Sequence, residues 1–222
     1  MKRILLASAI ALFAGLNAQT TFGVKGGYAL SKLNFNENSI ELDGAKGNMT
    51  SKSGFYIGGL VEHKFNSRFA IQGEVEYANL GGKAEVALPY GIKVTEKINL
   101  NRIVIPVSAR YYATPELGIY AGPYVSFKTD TNVKFDITGL PAGASTDPNA
   151  VREGEKLVEK QFNDNLKSTD FGLFFGADYN VYKGLFVDAR YSFGLTNMVK
   201  NPVGDEKVKM NFLQIGVGYK FK

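Results

Sequence analysis

The chain has 222 residues, 45% of them hydrophobic, a formal charge of +5 and no cysteine. The lack of cysteine excludes disulfides, thiol chemistry and Cys-based metal sites, and a single histidine excludes a His-rich one. Lys2 and Arg3 supply two of the positive charges and sit in a removable segment, so the basic balance of the remainder is small and implies no nucleic-acid partner.

That segment opens the chain. Lys2 and Arg3 form a basic start, Ile4 to Leu16 an apolar core, and Ala18 a cleavage position, the pattern of a secretory signal peptide over residues 1–18. Residues 19–222 then form one domain, with no linker and no low-complexity tract. No later stretch is long and apolar enough for a membrane helix.

The mature chain alternates with a period of two, which predicts strands with unlike faces. Phe22, Val24, Gly26, Tyr28 and Leu30 oppose Gly23, Lys25, Gly27, Ala29 and Ser31. Phe55–Glu62 and Phe69–Ala78 follow, then Ile103–Tyr111 and Ile119–Phe127. Asp170–Val181 and Leu185–Leu195 read as a hairpin around Tyr182-Lys183-Gly184. Phe212–Phe221 makes the eighth strand. Three connections are short, near Asn66–Arg68, Ala113–Leu117 and Tyr182–Gly184. Four are long, near Asn36–Ser51, Leu80–Lys97, Thr129–Lys167 and Asn197–Lys207. In the second, Glu85–Val94 reads as a hairpin tip around Pro89-Tyr90-Gly91. In the third, Val133, Phe135 and Ile137 keep the parity of Ile119–Phe127, so that strand projects further. Asp147 and Pro148 then offer an N-cap and a first helical residue, with Gly154 weakening the helix.

Strict alternation of short turns and long loops describes an all-β, eight-stranded antiparallel up-and-down barrel. A soluble barrel would turn its apolar face inward around a ligand, and a transmembrane barrel outward to lipid. The apolar face carries almost no charge, and its Tyr and Phe cluster near strand ends as interfacial girdles do. The other face balances Lys25, Lys64, Arg102, Arg110, Arg190 and Lys220 against Glu62, Glu74, Glu76, Asp170, Asp178 and Asp188. A narrow closed interior demands such balance, because unpaired buried charge is costly. The expectation is therefore a transmembrane barrel filled by side chains, with inward glycines making room for long ones. Arg190 is expected beside Asp178 across the hairpin, with Asp188 as a second acid.

The stretches SGFYIGGLVEHKF (53–65), FAIQGEVEYANLGGK (69–83) and IVIPVSARYYATPELGIYAGPYVSF (103–127) resemble the small outer-membrane β-barrel proteins of Bacteroidetes, often called porin-family or PorT-like. The 170–195 hairpin and the closing QIGVGYKF add to the likeness, which covers most of the mature chain. It implies an OmpA/OmpX-like architecture, an outer-membrane location after export, and, in one branch of the family, service in protein secretion and gliding motility. Gln214, Gly216, Tyr219 and Phe221 resemble the C-terminal signal read by the barrel-assembly machinery, although Lys222 follows where such barrels often end on the aromatic.

No catalytic, cofactor-binding or metal-binding residue is predicted. His63 has the parity of the outer face, away from any acid and nucleophile. Glu74 and Glu76 share one strand face with Gln72 and read as an interior ion network with Arg110, not as paired catalytic carboxylates. VKGGY and NLGGK lack the helix a phosphate loop needs. Asp130, Asp136, Asp147 and Asp164 lack EF-hand spacing. The expected role is non-enzymatic and without cofactor. The expected partners are outer-membrane lipid, the assembly machinery and an extracellular partner at the loops, with the barrel a monomer. The competing reading is a narrow channel for small solutes.

Overall fold

The computed structural model describes residues 19–36, 39–42, 45–88, 91–141, 145–202 and 204–221. The expected signal segment 1–18, Pro89 and Tyr90 of the expected hairpin tip, and Lys222 lie outside the described residues. Among the described residues ten strands run in chain order: β1 (Thr20–Phe35), β2 (Ser39–Leu42), β3 (Ala45–Thr50), β4 (Lys52–Lys64), β5 (Phe69–Ala87), β6 (Lys93–Tyr112), β7 (Leu117–Thr138), β8 (Thr169–Tyr182), β9 (Leu185–Gly194) and β10 (Val208–Phe221). One helix, α1 (Pro148–Asn165), lies between β7 and β8.

Eight of the strands close a ring. β1 pairs with both β4 and β10, β5 with β4 and β6, and the antiparallel ladder continues through β7, β8 and β9 to β10. Closure removes the free edges an open sheet would expose. The outer face is apolar: Phe22, Val24, Phe55, Ile57, Phe171, Leu173, Phe175, Ile215 and Val217 are all exposed. The inner face buries eleven of the twelve charges expected there, and Lys64 remains half-buried. Pro106, also inward and without an N–H, falls where the β5–β6 ladder skips from Gly73↔Val107 to Glu76↔Val104.

Local chemistry fixes the three short turns. The Asn66 side-chain oxygen accepts the N–H groups of Arg68 and Phe69, both at 2.8 Å. The Thr114 hydroxyl accepts those of Glu116 and Leu117. The third turn is shorter than the sequence suggested. Tyr182 pairs with Leu185, so only Lys183 and Gly184 turn, with φ of 41° and 94°. Two positive φ values suit the right-handed twist of a hairpin. The register shift between Asn180 and Tyr182 absorbs the extra residue.

The long loops are more ordered than their length implied. β5 and β6 continue well past the ring, pairing as far as Ala87↔Lys93, so the expected Leu80–Lys97 loop shrinks to a tip. β3 leaves β2 and pairs with upper β5 from Gly47↔Val86 to Thr50↔Lys83, above the place where β4 stops. β2, β3, β5, β6 and β7 thus form a second, taller sheet continuous with the wall. β7 runs eleven residues past Phe127 to Thr138, about 35 Å at the rise of an antiparallel strand.

The projection of β7 was expected, but not its facing. Arg102 pairs with Lys128 and Asn101 with Asp130, leaving Thr129 as a bulge. One extra residue exchanges the two faces. Tyr120, Tyr124 and Ser126 point inward below the bulge; Thr131 and Val133 do so above it. Val133 therefore does not keep the outward parity of Ile119–Phe127: it is fully buried.

α1 begins as expected, with Asp147 as N-cap accepting from the N–H of Asn149 and Pro148 in the first turn. It lies against the upper edge of β7, where β8 has already ended. The Glu159 carboxylate accepts from the Val133 N–H (2.9 Å) and from the Asn132 side chain, and Glu155 accepts from the Phe135 N–H (3.0 Å). Two glutamates one helical turn apart satisfy every second donor of a strand edge that would otherwise be free.

Candidate functional site

The interior is layered. At the turn end, Lys220 Nζ lies 2.8 Å from Glu62 and 3.6 Å from Asp178. Arg110 bridges the same two acids and donates to Gln72 at 2.9 Å. The Tyr112 hydroxyl donates to Glu62 at 2.7 Å, and its ring lies 4.2 Å beneath the Lys64 ammonium. A cavity of about 420 Å³ opens here, lined in part by Glu62, Lys64, Tyr112, Glu116, Lys183 and Lys220.

The middle layer crosses the lumen. Lys25 reaches Glu74 (2.8 Å), Glu76 (3.2 Å) and Asp188 (3.3 Å). Arg190 reaches Glu74 (2.6 Å) and Glu76 (3.4 Å). Tyr56 and Tyr120 donate to Asp188, and Gln214 to Glu76. Glycines opposite permit this crossing: a β-carbon at Gly216 would fall on the Tyr56 hydroxyl, and one at Gly172 on the Tyr124 ring. Above, Arg102 is fully buried and donates to Ser126 and to the Ser168 carbonyl, while Tyr124 donates to Asp170.

This arrangement corrects the partner expected for Arg190. Arg190 pairs with Gly176 on β8, and Asp178 faces Asp188 directly. Asp178 is nevertheless held by Arg110 and Lys220, and the Arg190 guanidinium reaches across the lumen to Glu74 and Glu76 on β5. An eight-stranded interior is only about as wide as a long side chain, so a residue across the lumen is as close as a diagonal neighbour in the sheet. Periodicity reports faces but not these crossings.

Above the charged layers the lumen turns apolar. Leu33, Leu80, Ile98, Leu100, Val133, Met198, Met210 and Phe212 are each no more than 2% exposed and form one packed cluster with Leu166 and Val199. Leu166 and Val199 form a bridge that pulls the connections before β8 and after β9 together over the lumen. Sequence reasoning missed this plug. Its strand members were visible as apolar residues at inward positions near strand tops, but Met198 and Val199 belong to a connection with no periodicity to betray them.

The residues weighed for chemistry lie apart. His63 Nδ1 is 3.0 Å from the Thr20 hydroxyl, and the ring meets Phe65 edge-on. Glu74 and Glu76 are consumed by the lumen network. Asp147 caps α1, Asp136 lies 3.7 Å from Lys97, and Asp130 is an acceptor for Asn101. Among the described residues no group of His, Cys, Asp and Glu is arranged to hold a metal ion.

A closed eight-stranded ring with an apolar exterior and a charged interior is the geometry of a barrel that crosses a lipid bilayer. The family model described as "Outer membrane protein beta-barrel domain" matches residues 17–200. The chain belongs to this family. Outer-membrane β-barrel domain proteins reside in the outer membrane, and so does this one; in such barrels the short turns are periplasmic and the long loops extracellular. Among solved structures it is similar to Ail, the attachment invasion locus protein of Yersinia pestis, in complex with the heparin analogue sucrose octasulfate, at 14% identity and a TM-score of 0.46 over 91% of this chain and 99% of that one. It is also similar to Neisserial surface protein A (18%, TM-score 0.44, 90% and 97% covered) and to OprG of Pseudomonas aeruginosa (17%, TM-score 0.43, 92% and 96% covered). A search among curated proteins gives no match.

Proposed function

We propose that this protein is a non-enzymatic surface scaffold: a plugged, monomeric barrel that anchors an extracellular platform for binding a partner. The observation that carries this reading is the apolar plug beneath the tall sheet. Water and ions that enter the periplasmic mouth meet first the salt-bridged layers and then Leu33, Leu80, Leu100 and Met210 packed in one apolar cluster, which argues against the competing reading of a solute channel. The platform in turn places β2, β3, upper β5 to β7 and α1 beyond the membrane, on strands rigid enough to present a binding surface.

In this reading residues 1–18 are a cleaved export signal and residues 19–222 the barrel domain. Gln214, Gly216, Tyr219 and Phe221 on β10 present the barrel to the assembly machinery. The likeness of its strands to the PorT-like barrels of Bacteroidetes favours a place among them, with the platform docking a component of a secretion or adhesion apparatus.

Two measurements test it. Purified, refolded protein in a planar bilayer should give no step conductance; reproducible unitary steps would replace the scaffold reading with the channel. An affinity tag inserted between β7 and α1, followed by crosslinking on intact cells, should recover a specific surface partner. Deletion of α1 should abolish that recovery while the barrel still inserts.

A further inference from the structure

Above the plug the inner face of the tall sheet carries two more rows of side chains. Val86, Val94 and Ile137 lie side by side on β5, β6 and β7, and below them Ala84, Glu96 and Phe135 do the same. The row beneath is Gly82, Ile98 and Val133. Ile98 and Val133 belong to the plug, and a β-carbon at Gly82 would meet the Leu33 side chain. Phe35, Phe135, Val158 and Phe162 pack onto the plug without being fully buried. Phe35 and Phe162 also line a cavity of about 190 Å³ together with Leu166, Val199 and Val208. The upper end of the lumen is therefore an apolar cup, with the tall sheet as one wall and the plug as its floor.

One carboxylate interrupts this wall. The other acids of the tall sheet have partners: Glu85 lies against Lys83, Asp136 against Lys97, and Asp130 accepts from Asn101. Glu155 and Glu159 of α1 are engaged by the edge of β7. Glu96 is different. Among the described residues no hydrogen bond or ion pair reaches it. It is half-buried, and burial raises its carboxyl above the ordinary value. The residues that share its face are Gly82, Ala84 and Val86 from β5, Val94 and Ile98 from β6, and Val133, Phe135 and Ile137 from β7. None of them titrates, and Lys83 and Lys97 have the opposite parity. Gly82 and Ala84 also leave the β5 side of Glu96 without bulk. A carboxylate on an apolar face is unfavourable unless a base or a donor reaches it, and a positive charge brought from outside the chain would meet that need.

We propose that this cup is where the partner docks, and that it takes a peptide segment presenting an arginine or lysine to Glu96 and an apolar side chain to the cavity beside Phe35 and Phe162. The inference rests on the scaffold reading and names the chemistry of the segment that the platform receives. A buried apolar anchor with one charge-assisted hydrogen bond concentrates affinity in a small contact. The carboxylate also selects by sign, since an acidic segment would set like charges together against an apolar wall.

The test selects binders from a phage-displayed library of random short peptides, using folded protein in lipid nanodiscs at neutral pH, with empty nanodiscs removing peptides that bind lipid. The surviving peptides should carry a base next to Phe, Leu or Met. They should bind wild type about ten-fold or more tightly than Glu96→Gln, the loss expected for one charge-assisted hydrogen bond. Gln161→Trp, which crowds the rim of the cavity, should weaken them as well, and Glu85→Gln with Asp136→Asn should not. Affinity for wild type should fall as pH drops below the raised Glu96 value and stay flat for Glu96→Gln. In the crosslinking capture on intact cells, Glu96→Gln should lower recovery as deletion of α1 does. The proposal is overturned if no basic peptide is enriched, or if the enriched peptides bind Glu96→Gln as tightly as wild type. It is also overturned if free argininamide competes at the same concentration as the peptides, since the site would then take a small cation. If deletion of α1 abolishes recovery on cells and Glu96→Gln leaves it whole, the scaffold reading stands and the cup is overturned.

Discussion

Arg190→Met is the sharpest probe of how the lumen is wired. The guanidinium lies 2.6 Å from Glu74 and 3.4 Å from Glu76, and stacks 4.6 Å above the Phe174 ring. A unit pair about 3 Å apart at an effective dielectric of about 20 attracts by about 5 kcal/mol before desolvation. Met keeps much of the packing on Phe174 but leaves Lys25, among the described residues, as the one cation touching Glu74, Glu76 and Asp188. Removing one partner of a buried pair costs about 3–5 kcal/mol, and the single variant should lose that much. Adding Glu74→Gln removes the excess negative charge, so the double variant should recover about 1–3 kcal/mol, the range expected for residues in direct contact. Adding Asp178→Leu instead should recover nothing, because it strips Arg110 and Lys220 of an acid they share. Equilibrium urea unfolding in lipid vesicles, arranged as two double-mutant cycles, measures both couplings. If Asp178→Leu rescues Arg190→Met and Glu74→Gln does not, the crossing is wrong and the hairpin neighbours are the true pair.

Other substitutions test other layers. Ala189 faces outward between Ala177 and Ile215, so Ala189→Arg should cost about 2–4 kcal/mol in the same assay if it lies near mid-bilayer; a neutral result would mean that the faces are reversed. Glu155→Ala with Glu159→Ala orphans the N–H groups of Phe135 and Val133, each loss worth about 1–3 kcal/mol. Hydrogen exchange at those two amides should accelerate, and α1 should become sensitive to protease while the barrel stays resistant. On the platform, burial raises the Glu96 carboxyl above its ordinary value. The folded state then holds a proton that the unfolded chain releases, so stability is fullest below the ordinary carboxylate range and declines as pH rises through the raised value. Glu96→Gln should flatten that decline, read as the difference in thermal midpoint between variant and wild type across pH.

The ring was legible because a two-faced strand must repeat its apolar residues every second position, and all eight strands do. Interior membership followed from the same parity, which placed Lys25, Glu76, Arg102 and Asp188 inside. Parity failed where the count of two was interrupted. Thr129 inserts one residue and turns Val133 inward, and a bulge carries no residue type that announces it. The platform was hidden for a related reason. The stretches 80–87 and 93–101 are rich in Lys, Glu, Asn and Gly because their outer face meets water, so strand read as loop. Side-chain partners across the lumen were beyond periodicity altogether, since Arg190 and Glu74 are joined by tertiary geometry and by nothing local.

The unequal height of the wall has a mechanical consequence. β9 has ten residues and β7 has twenty-two, so a load applied to the platform is taken up on one side. It enters along the axes of β5, β6 and β7, whose hydrogen bonds run perpendicular to the strands. Pulled in that direction the bonds are loaded together in shear instead of parting one after another as in an unzipped hairpin. A tether or moving partner gripping the platform could thus strain against the bilayer anchor, and the first contacts to yield would be the few that tie α1 to the edge of β7.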